Sequence, residues 1–370
     1  MKKILVTPRR YIQGPGVLSQ LGEAVQPLGN KIILLWDKMV RGILSESVLA
    51  GLQASSIEVE EYIFPGEATQ QQRKLLAEAA RKFGATAIVA MGGGKSLDVA
   101  KGAAFDANVA MVSCPTIAST DSPTSACSVW YEENGNYEGF DMWPFNPDIV
   151  IVDTSVIAQA PVHTFVAGMG DALATWIEAE AVQKSRGLNF VGGHSTLAAL
   201  NLAKLSFEII TEFGLDAKRD VAQKLVTPAV EKVVEANVLL SGIGFESVGL
   251  ACAHDIGNYL SNFEECHAKG LMHGHKVGFG ILTQLCLDDE MSPVRRLEIL
   301  DFEIAIGLPV TLEELGLQDA PEAKLREMCD FCAADGSLAS SHPFPITSQG
   351  VLDAIYAADA LGRERKGKER

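Results

Sequence analysis

The stretch TAIVAMGGGKSLD at residues 86–98 decides the interpretation of the fold. It runs from apolar, β-type residues through three glycines into a helical pattern, which predicts a strand, a tight turn and a helix. Without side chains at Gly92, Gly93 and Gly94 the backbone can approach a pyrophosphate, and the free N–H groups of the helix start would bind its charge. The stretch matches neither G-x-G-x-x-G nor a Walker loop, so a plain tight turn stays an alternative.

The same alternation of strands and helices covers the first 150 residues. Apolar, β-branched runs predict strands at 31–36, 59–64, 86–91, 109–113 and 148–152. Helical patterns lie at 16–28, 43–54, 69–83 and 95–107. Strands that are apolar throughout are buried on both faces, which predicts a parallel sheet covered by helices. The polar run YEENGNYEGF at 131–140 contains Asn134-Gly135 and predicts a small antiparallel hairpin beside the sheet.

After about residue 160 the pattern changes to apolar residues at helical spacing, and strand-like runs largely disappear. We therefore predict an α/β dinucleotide-binding domain at residues 1–160, with a parallel sheet flanked by helices. A second, all-α domain is predicted at residues 161–370, and its charged end at 362–370 (GRERKGKER) is expected to be frayed and solvated. A length of 370 residues fits two domains.

Composition and charge exclude several classes of protein. Apolar residues make up 47% and charged residues 21%, which indicates a folded, enzyme-sized chain. A net charge of −16 opposes binding to nucleic acid or anionic membranes, because their phosphates would be repelled. The N-terminal apolar run ends at Pro8, too early for a signal peptide or a membrane span, so we expect a cytoplasmic protein. The seven cysteines, including Cys329 and Cys332, are expected to be reduced thiols in the core.

Three segments of the second half place metal-ligand residue types among glycines and apolar residues. Asp171 is expected at a helix start in GMGDALATW, His254 on a helix in GLACAH, and His273 in the loop before a helix in HGHKVGFG. Each alone is more typical of an N-cap or of a hydrogen-bonded core histidine. Together, one carboxylate and two imidazoles are a common ligand set for a catalytic zinc with an open position. Such a metal would favour the alkoxide of a bound alcohol, whose hydride a nicotinamide could accept.

Asp37 directly follows the predicted strand at 31–36. An acidic residue at this place can accept hydrogen bonds from the ribose of a dinucleotide, and its charge disfavours the extra phosphate of NADP. Asp37 therefore favours NAD as the cofactor, although a single acidic residue there also fits an ordinary loop start.

The chain resembles the glycerol dehydrogenases of the iron-containing alcohol dehydrogenase superfamily over nearly its whole length. The motifs that carry the resemblance are WDK at 36–38, GGGKSLD at 92–98, PTIASTDSPTSACSVWY at 115–131, NPDIVIVDT at 146–154, AGMGDALATWIEAEA at 167–181, GFESVGLACAH at 244–254 and HGHKVGFG at 273–280. The resemblance implies a dehydroquinate synthase-like fold with the active site in the cleft between its two domains. It also implies NAD-dependent oxidation of glycerol to dihydroxyacetone, and a homo-oligomer, namely an octamer.

The resemblance also implies roles for individual residues. Zinc would be held by Asp171, His254 and His273, and Asp121 would contact the hydroxyls of the polyol, which makes these four the catalytic residues. The implied NAD contacts are Asp37, Gly94, Lys95, Ser96, Leu97, Asp98, Thr116, Ser119, Ser125, Cys127 and Tyr131. Iron-dependent members carry a histidine where this chain has Thr175, which favours zinc over iron.

Several departures from the family pattern leave the exact substrate open. The chain has GNYL at 257–260 where these relatives usually show His-Asn-Gly-Leu, an unusual stretch EECHAKGLM at 264–272, and Cys127 in place of a leucine. A short vicinal diol such as 1,2-propanediol is therefore an alternative to glycerol. A dehydroquinate-synthase-like lyase would need several basic groups, and the metal segments offer only Lys269 and Lys276. The three ligand residues argue against a non-catalytic NAD-binding protein.

Overall fold

The computed structural model describes residues 1–368, and a parallel sheet of six strands forms its first part. The strands are β1 (Tyr11–Gly14), β2 (Lys31–Trp36), β3 (Glu58–Ile63), β4 (Ala87–Gly92), β5 (Ala110–Pro115), β6 (Cys127–Tyr131), β7 (Tyr137–Met142) and β8 (Ile149–Asp153). The sheet order is β1-β8-β5-β4-β2-β3, and β6 and β7 form a separate antiparallel hairpin. The predicted parallel sheet and the predicted hairpin are both confirmed.

The helices alternate with the strands up to β5, and after β8 they follow one another without further strands to the end of the described residues. They are α1 (Leu21–Val25), α2 (Lys38–Ala54), α3 (Gln70–Phe83), α4 (Gly94–Ala107), α5 (Thr154–Gln159), α6 (Val162–Ser185), α7 (Leu197–Ala222), α8 (Pro228–Glu235), α9 (Ser241–Val248), α10 (Cys252–Tyr259), α11 (Glu264–Ala268), α12 (His273–Leu287), α13 (Pro293–Ile306), α14 (Leu312–Leu315), α15 (Glu322–Ala333) and α16 (Ser348–Lys368). The predicted fold class, a sheet flanked by helices and followed by a helical part, is therefore confirmed.

Two local predictions in the first part differ from the structure. The predicted helix at 16–28 is broken into the single turns Val17–Gln20 and Gln26–Leu28 around the short α1. Pro27 lacks the N–H that a continuous helix would need there. Strand β1 was not expected from the sequence, because its four residues are too few to show a pattern and pair only with β8 at the edge of the sheet.

The C-terminal end is helical, which corrects the prediction of a frayed tail for the described residues. Helix α16 continues to Lys368, and residues 369–370 lie outside the described part of the chain. Arg365 forms an ion pair with Asp301 of α13 at 2.5 Å, and Lys366 pairs with Glu314 of α14. These ion pairs connect the charged end of α16 to α13 and α14.

Within residues 1–368, no single helix is long and apolar enough to cross a membrane. The bent pair of segments Pro228–Val248 and Cys252–Asn262, which meet at 111°, passes the same test by length and composition. Both segments contain side chains with no exposed surface, such as Val234 and Ile256.

Candidate active site

A cavity of about 440 Å³ lies where the carboxyl ends of β2, β4 and β5 face α10 and α12. Most of the side chains proposed from the sequence line it: Asp37, Gly94, Lys95, Ser96, Asp98, Ser119, Asp121, Ser125, Cys127, Tyr131, His254 and His273. The other three proposed residues do not line the cavity. Leu97 and Asp171 have no exposed surface, and Thr116 is buried after β5. The crevice at the carboxyl ends of parallel strands is the usual place for a ligand in such sheets.

The glycine turn after β4 leads directly into the N-terminus of α4. Gly93 is the N-cap residue in an extended conformation, and no side chain caps this helix. A Cβ on Gly94 would lie 2.9 Å from Thr120 Cγ2, so the loop after β5 approaches this turn closely. An uncapped helix start that lines the cavity is suited to bind an anion such as a pyrophosphate.

Asp37 follows β2 and is the N-cap of α2. Its Oδ1 accepts hydrogen bonds from the N–H groups of Met39 at 2.9 Å and Val40 at 3.3 Å. This cap explains why α2 begins at Lys38, five residues before the predicted start. Because one oxygen makes both bonds, Oδ2 lies outside the cap and can contact a ligand in the cavity.

Asp98 and Lys101 of α4 hold the segment that carries Asp121, Ser125 and Cys127. Asp98 accepts hydrogen bonds from Ser122 Oγ at 2.6 Å and from the Val129 N–H at 3.1 Å. Lys101 forms a buried ion pair with Asp98 at 2.8 Å and donates to the Ser122 carbonyl at 3.0 Å. Lys101 was not among the residues singled out from the sequence, where it is one lysine among the residues of an ordinary helical pattern.

Asp171, His254 and His273 come together from three helices. One ligand atom of each lies within 4.8 Å of the others, and this is the only such group found in the described part of the chain. Asp171 Oδ1 lies 3.3 Å from His254 Nε2 and 3.5 Å from His273 Nε2. Asp171 Oδ1 is buried without a hydrogen bond, a costly state for a carboxylate that a bound cation would relieve. These residues therefore fit a divalent metal ion.

Asp171 lies inside α6, which corrects the prediction that it begins a helix. The preceding Gly168 and Gly170 also belong to the helix. A Cβ on Gly168 would lie 1.9 Å from the Ala118 carbonyl oxygen, and one on Gly170 would lie 2.4 Å from the Gly274 oxygen. The glycines therefore allow close packing of α6 against its neighbours.

Burial and nearby charges set the protonation of the three residues. Burial lowers the pKa of His273 to about 4, so this imidazole is neutral and can offer a lone pair. Burial alone would raise the pKa of Asp171, but the interactions with the neighbouring His273 and His254 outweigh burial and lower that pKa. Burial would lower the pKa of His254, but the carboxylates of Glu178 and Asp171 raise it well above its usual value.

Asp121 lies beside this group and lines the cavity. Its N–H donates to Asp171 Oδ2 at 3.2 Å, and its Oδ2 accepts a hydrogen bond from Ser241 Oγ at 2.7 Å. Burial raises the pKa of Asp121 well above its usual value, and the charge of Asp171 acts in the same direction. Ser241 Oγ also lies 2.7 Å from Thr175 Oγ1, so Thr175 and Asp121 share a hydrogen-bond partner.

The opposite wall contains two polar side chains to which the sequence assigned no role, His267 and Lys276. His267 lines the cavity, with Nε2 at 2.7 Å from the Ser261 carbonyl oxygen. Lys276 also lines it and donates to Ser261 Oγ, and burial lowers the pKa of this lysine to about 8. His275 and Lys269 do not line the cavity, and His275 Nδ1 instead accepts a bond from the Met272 N–H at 3.1 Å.

Glu178 is a further residue beside the three ligands that sequence reasoning missed. Its side chain has no exposed surface, and one carboxylate oxygen is hydrogen-bonded to His254 Nδ1. The available signal was the spacing from Asp171 to Glu178 in AGMGDALATWIEAEA, because residues seven apart share one face of a helix.

Comparison with known proteins gives matches over the whole chain. Residues 8–154 match the family described as iron-containing alcohol dehydrogenase. A glycerol dehydrogenase of Citrobacter freundii is 42% identical over 365 residues, which cover 98% of this chain and 99% of that protein. A glycolaldehyde reductase of Halobacterium salinarum is 39% identical, with coverage of 98% and 99%. The crystal structure of a probable glycerol dehydrogenase from Sinorhizobium meliloti 1021 has a TM-score of 0.93 at 37% identity, and the match covers 98% of this chain and 100% of that chain.

The fold, the cavity and these matches define a dehydrogenase of the class that combines a nicotinamide cofactor with a metal ion. The chain belongs to the iron-containing alcohol dehydrogenase family. The resemblance predicted from the motifs is thereby confirmed. NAD and a metal are the cofactors expected for this family, and the cluster of Asp171, His254 and His273 is a possible metal site.

Proposed function

We propose that this protein oxidises a small vicinal diol with NAD, and that glycerol, which gives dihydroxyacetone, is its main substrate. One observation carries the proposal: Asp121, His254 and His273 line the same cavity as the uncapped N-terminus of α4. The glycerol dehydrogenase of C. freundii, which is 42% identical along the whole chain, supports glycerol as the substrate.

We assign the cofactor to the part of the cavity next to the sheet. Gly94 and Lys95 at the start of α4 would bind the pyrophosphate, and Asp37 Oδ2 would accept hydrogen bonds from a ribose. Lys95 pairs with Glu67 at 2.6 Å and lies 4.5 Å from the centre of the Tyr131 ring, which orders it at this place. The other contacts that we propose are Ser96, Leu97, Asp98, Thr116, Ser119, Ser125 and Cys127.

We assign the metal to Asp171, His254 and His273, and we favour zinc because Thr175 offers no further imidazole. When bound, the cation supplies a Lewis acid for the alcohol oxygen and NAD supplies the hydride acceptor. Asp121 Oδ1 is not the oxygen that Ser241 contacts, so it can accept a hydrogen bond from the second hydroxyl of a diol. A monohydric alcohol lacks this hydroxyl and would leave the buried acceptor without a partner.

A second candidate substrate is ethane-1,2-diol or 1,2-propanediol. The relative from H. salinarum, at 39% identity, is a glycolaldehyde reductase, and glycolaldehyde is the oxidised form of ethane-1,2-diol. The contact proposed for Asp121 requires only two neighbouring hydroxyl groups, so it does not distinguish these diols from glycerol.

Initial rates of NAD reduction with glycerol, 1,2-propanediol, ethane-1,2-diol and 1-propanol test the substrate class. We expect kcat/KM for the best diol to exceed that for 1-propanol by about 10- to 100-fold, because one lost hydrogen bond to a buried group costs about 1–3 kcal/mol. A chelator should abolish the activity, and Zn²⁺ should restore it better than Fe²⁺. Equal rates with 1-propanol, or full activity of a protein shown to be metal-free, would contradict the proposal.

Among the expectations from the sequence that stay predictions, two concern the arrangement of the chain. One is the boundary between two domains near residue 160, and the other is the assembly of several copies into a homo-oligomer, with the octamer as the form that the resemblance implies.

A further inference from the structure

Glu178 places both of its carboxylate oxygens on the first turn of α10. Oε1 accepts hydrogen bonds from the backbone N–H groups of Ala251 and His254, each at 2.9 Å. Oε2 is hydrogen-bonded to Nδ1 of the His254 ring. The side chain has no exposed surface, so these contacts replace the water that the carboxylate has lost.

Helix α10 has no cap of its own. Its N-cap residue is Ala251, whose side chain cannot accept a hydrogen bond. The first N–H groups of a helix need acceptors, and a negative charge is favourable at that end. Glu178 supplies both the acceptor atoms and the negative charge, and it lies on α6, the helix that also carries Asp171. The two helices that bear the carboxylate ligand and the first histidine are therefore joined at this residue.

The contact at Nδ1 also decides which nitrogen of His254 carries the proton. An ionised carboxylate only accepts hydrogen bonds, so Nδ1 must be the N–H side of the ring. In the neutral imidazole Nε2 then has a lone pair, and Nε2 is the atom that lies 3.3 Å from Asp171 Oδ1. A carboxylate behind a histidine commonly orients it for a metal in this way.

We propose that Glu178 is a positioning residue that holds His254 in the Nδ1–H tautomer and presents its Nε2 lone pair to the cation. The inference rests on the metal site of the proposed function. Glu178 contacts neither substrate nor cofactor in this assignment and acts only through His254.

The substitution Glu178→Gln tests the tautomer with little change of shape. The glutamine oxygen can still accept from the two backbone N–H groups, but its NH₂ group would then face Nδ1. Nδ1 must accept that bond, the proton moves to Nε2, and Nε2 loses the lone pair for the metal. We expect the affinity of the metal-depleted protein for Zn²⁺, measured against a chromophoric chelator, to fall by about 10- to 100-fold. Glu178→Asp keeps the carboxylate and should bind Zn²⁺ more tightly than Glu178→Gln.

Glu180→Gln is the matched control on the same helix. Glu180 pairs with Arg295 at 2.6 Å, away from the ligand group, so this variant should bind Zn²⁺ as the wild type does. Wild-type affinity in Glu178→Gln, or weaker binding by Glu178→Asp than by Glu178→Gln, would overturn the inference. Absence of Zn²⁺ binding by the wild type would instead overturn the metal site of the proposed function.

The tautomer can also be measured directly in the wild type, and a variant then serves only to assign the signals. Nitrogen-15 labelling of histidine in the Zn²⁺-loaded protein should show a protonated Nδ1 and a metal-bound Nε2 for His254, assigned by loss of the signals in His254→Gln. A protonated Nε2 in the loaded protein would contradict the role given to Glu178.

Discussion

At the scale of single residues, Asp37 combines a structural task with the proposed recognition of NAD. Its Oδ1 caps α2 through Met39 and Val40, while the side chain also lines the cavity. The two tasks differ in what they need: a cap needs only a short side chain with an oxygen, whereas repulsion of the NADP phosphate needs a charge. A substitution can therefore separate them.

Asp37→Ser should keep the cap and remove the charge. Serine is as good an N-cap as aspartate, so we expect the melting temperature to stay within a few degrees of the wild type. The ratio of kcat/KM for NAD to that for NADP should fall by about tenfold or more, because one repulsive charge at close range is worth about 1–3 kcal/mol. Asp37→Ala serves as a control that loses the cap as well. An unchanged cofactor ratio in both variants would contradict the assignment of Asp37 to the ribose.

At the scale of elements, glycines set the distances between the helices that bear the metal ligands. A Cβ on Gly274 of α12 would lie 1.8 Å from the Ala167 carbonyl oxygen of α6. A Cβ on Gly280 would lie 2.3 Å from the Ala253 oxygen of α10. Helix α12 therefore touches the backbones of both partners, and His273 at its first position is fixed against Asp171 and His254.

Gly274→Ala should push α12 away from α6. We expect a loss of about 1–3 kcal/mol in the free energy of unfolding, as for overpacked cores, together with weaker Zn²⁺ binding. Urea denaturation and a Zn²⁺ titration measure the two effects. Gly42→Ala is the control, because Gly42 lies in α2 with open space around it and alanine should stabilise that helix by about 0.5–1 kcal/mol. A variant Gly274→Ala as stable as Gly42→Ala would show that the helices do not pack as described.

Some elements could be predicted from the sequence, and others depend on contacts with distant parts of the chain. Continuous apolar runs in β2 and β4 predicted buried parallel strands, because burial on both faces leaves a direct signature in composition. Gly168 and Gly170 belong to α6, although local propensity disfavours glycine in a helix and the sequence predicts only that a helix starts at Asp171. Their reason lies in the neighbouring backbone, which a pattern along one chain does not contain. Glu178 stayed hidden for the same reason, because its partners are 73 and 76 residues away.

At the scale of the whole molecule, Glu246 connects the helical part of the chain to the segments before and after the hairpin of β6 and β7. This residue of α9 accepts hydrogen bonds from the Ala126 N–H at 3.1 Å and from Asn146 Nδ2 at 2.6 Å. Burial raises the pKa of Glu246 from 4.5 to about 7 despite these bonds. Ala126 precedes β6 and Asn146 follows β7. The protonation of the Glu246 carboxyl is therefore coupled to the contact between α9 and these two residues.

The raised pKa fixes the sign of a pH effect on stability. The folded protein holds the Glu246 proton more tightly than the unfolded chain, so the contribution of this group is fully present below pH 4.5 and is lost as the pH rises to about 7. The loss amounts to about 3 kcal/mol, from about 1.4 kcal/mol for each unit of pKa.

The substitution Glu246→Gln tests this effect, because glutamine cannot ionise. The free energy of unfolding, measured by urea titrations at pH 5 to 8, should fall less with rising pH for this variant than for the wild type. Glu208→Gln, on the exposed side of α7, should leave the wild-type curve unchanged. Parallel curves for Glu246→Gln and the wild type would mean that Glu246 is ionised throughout this range in the folded protein.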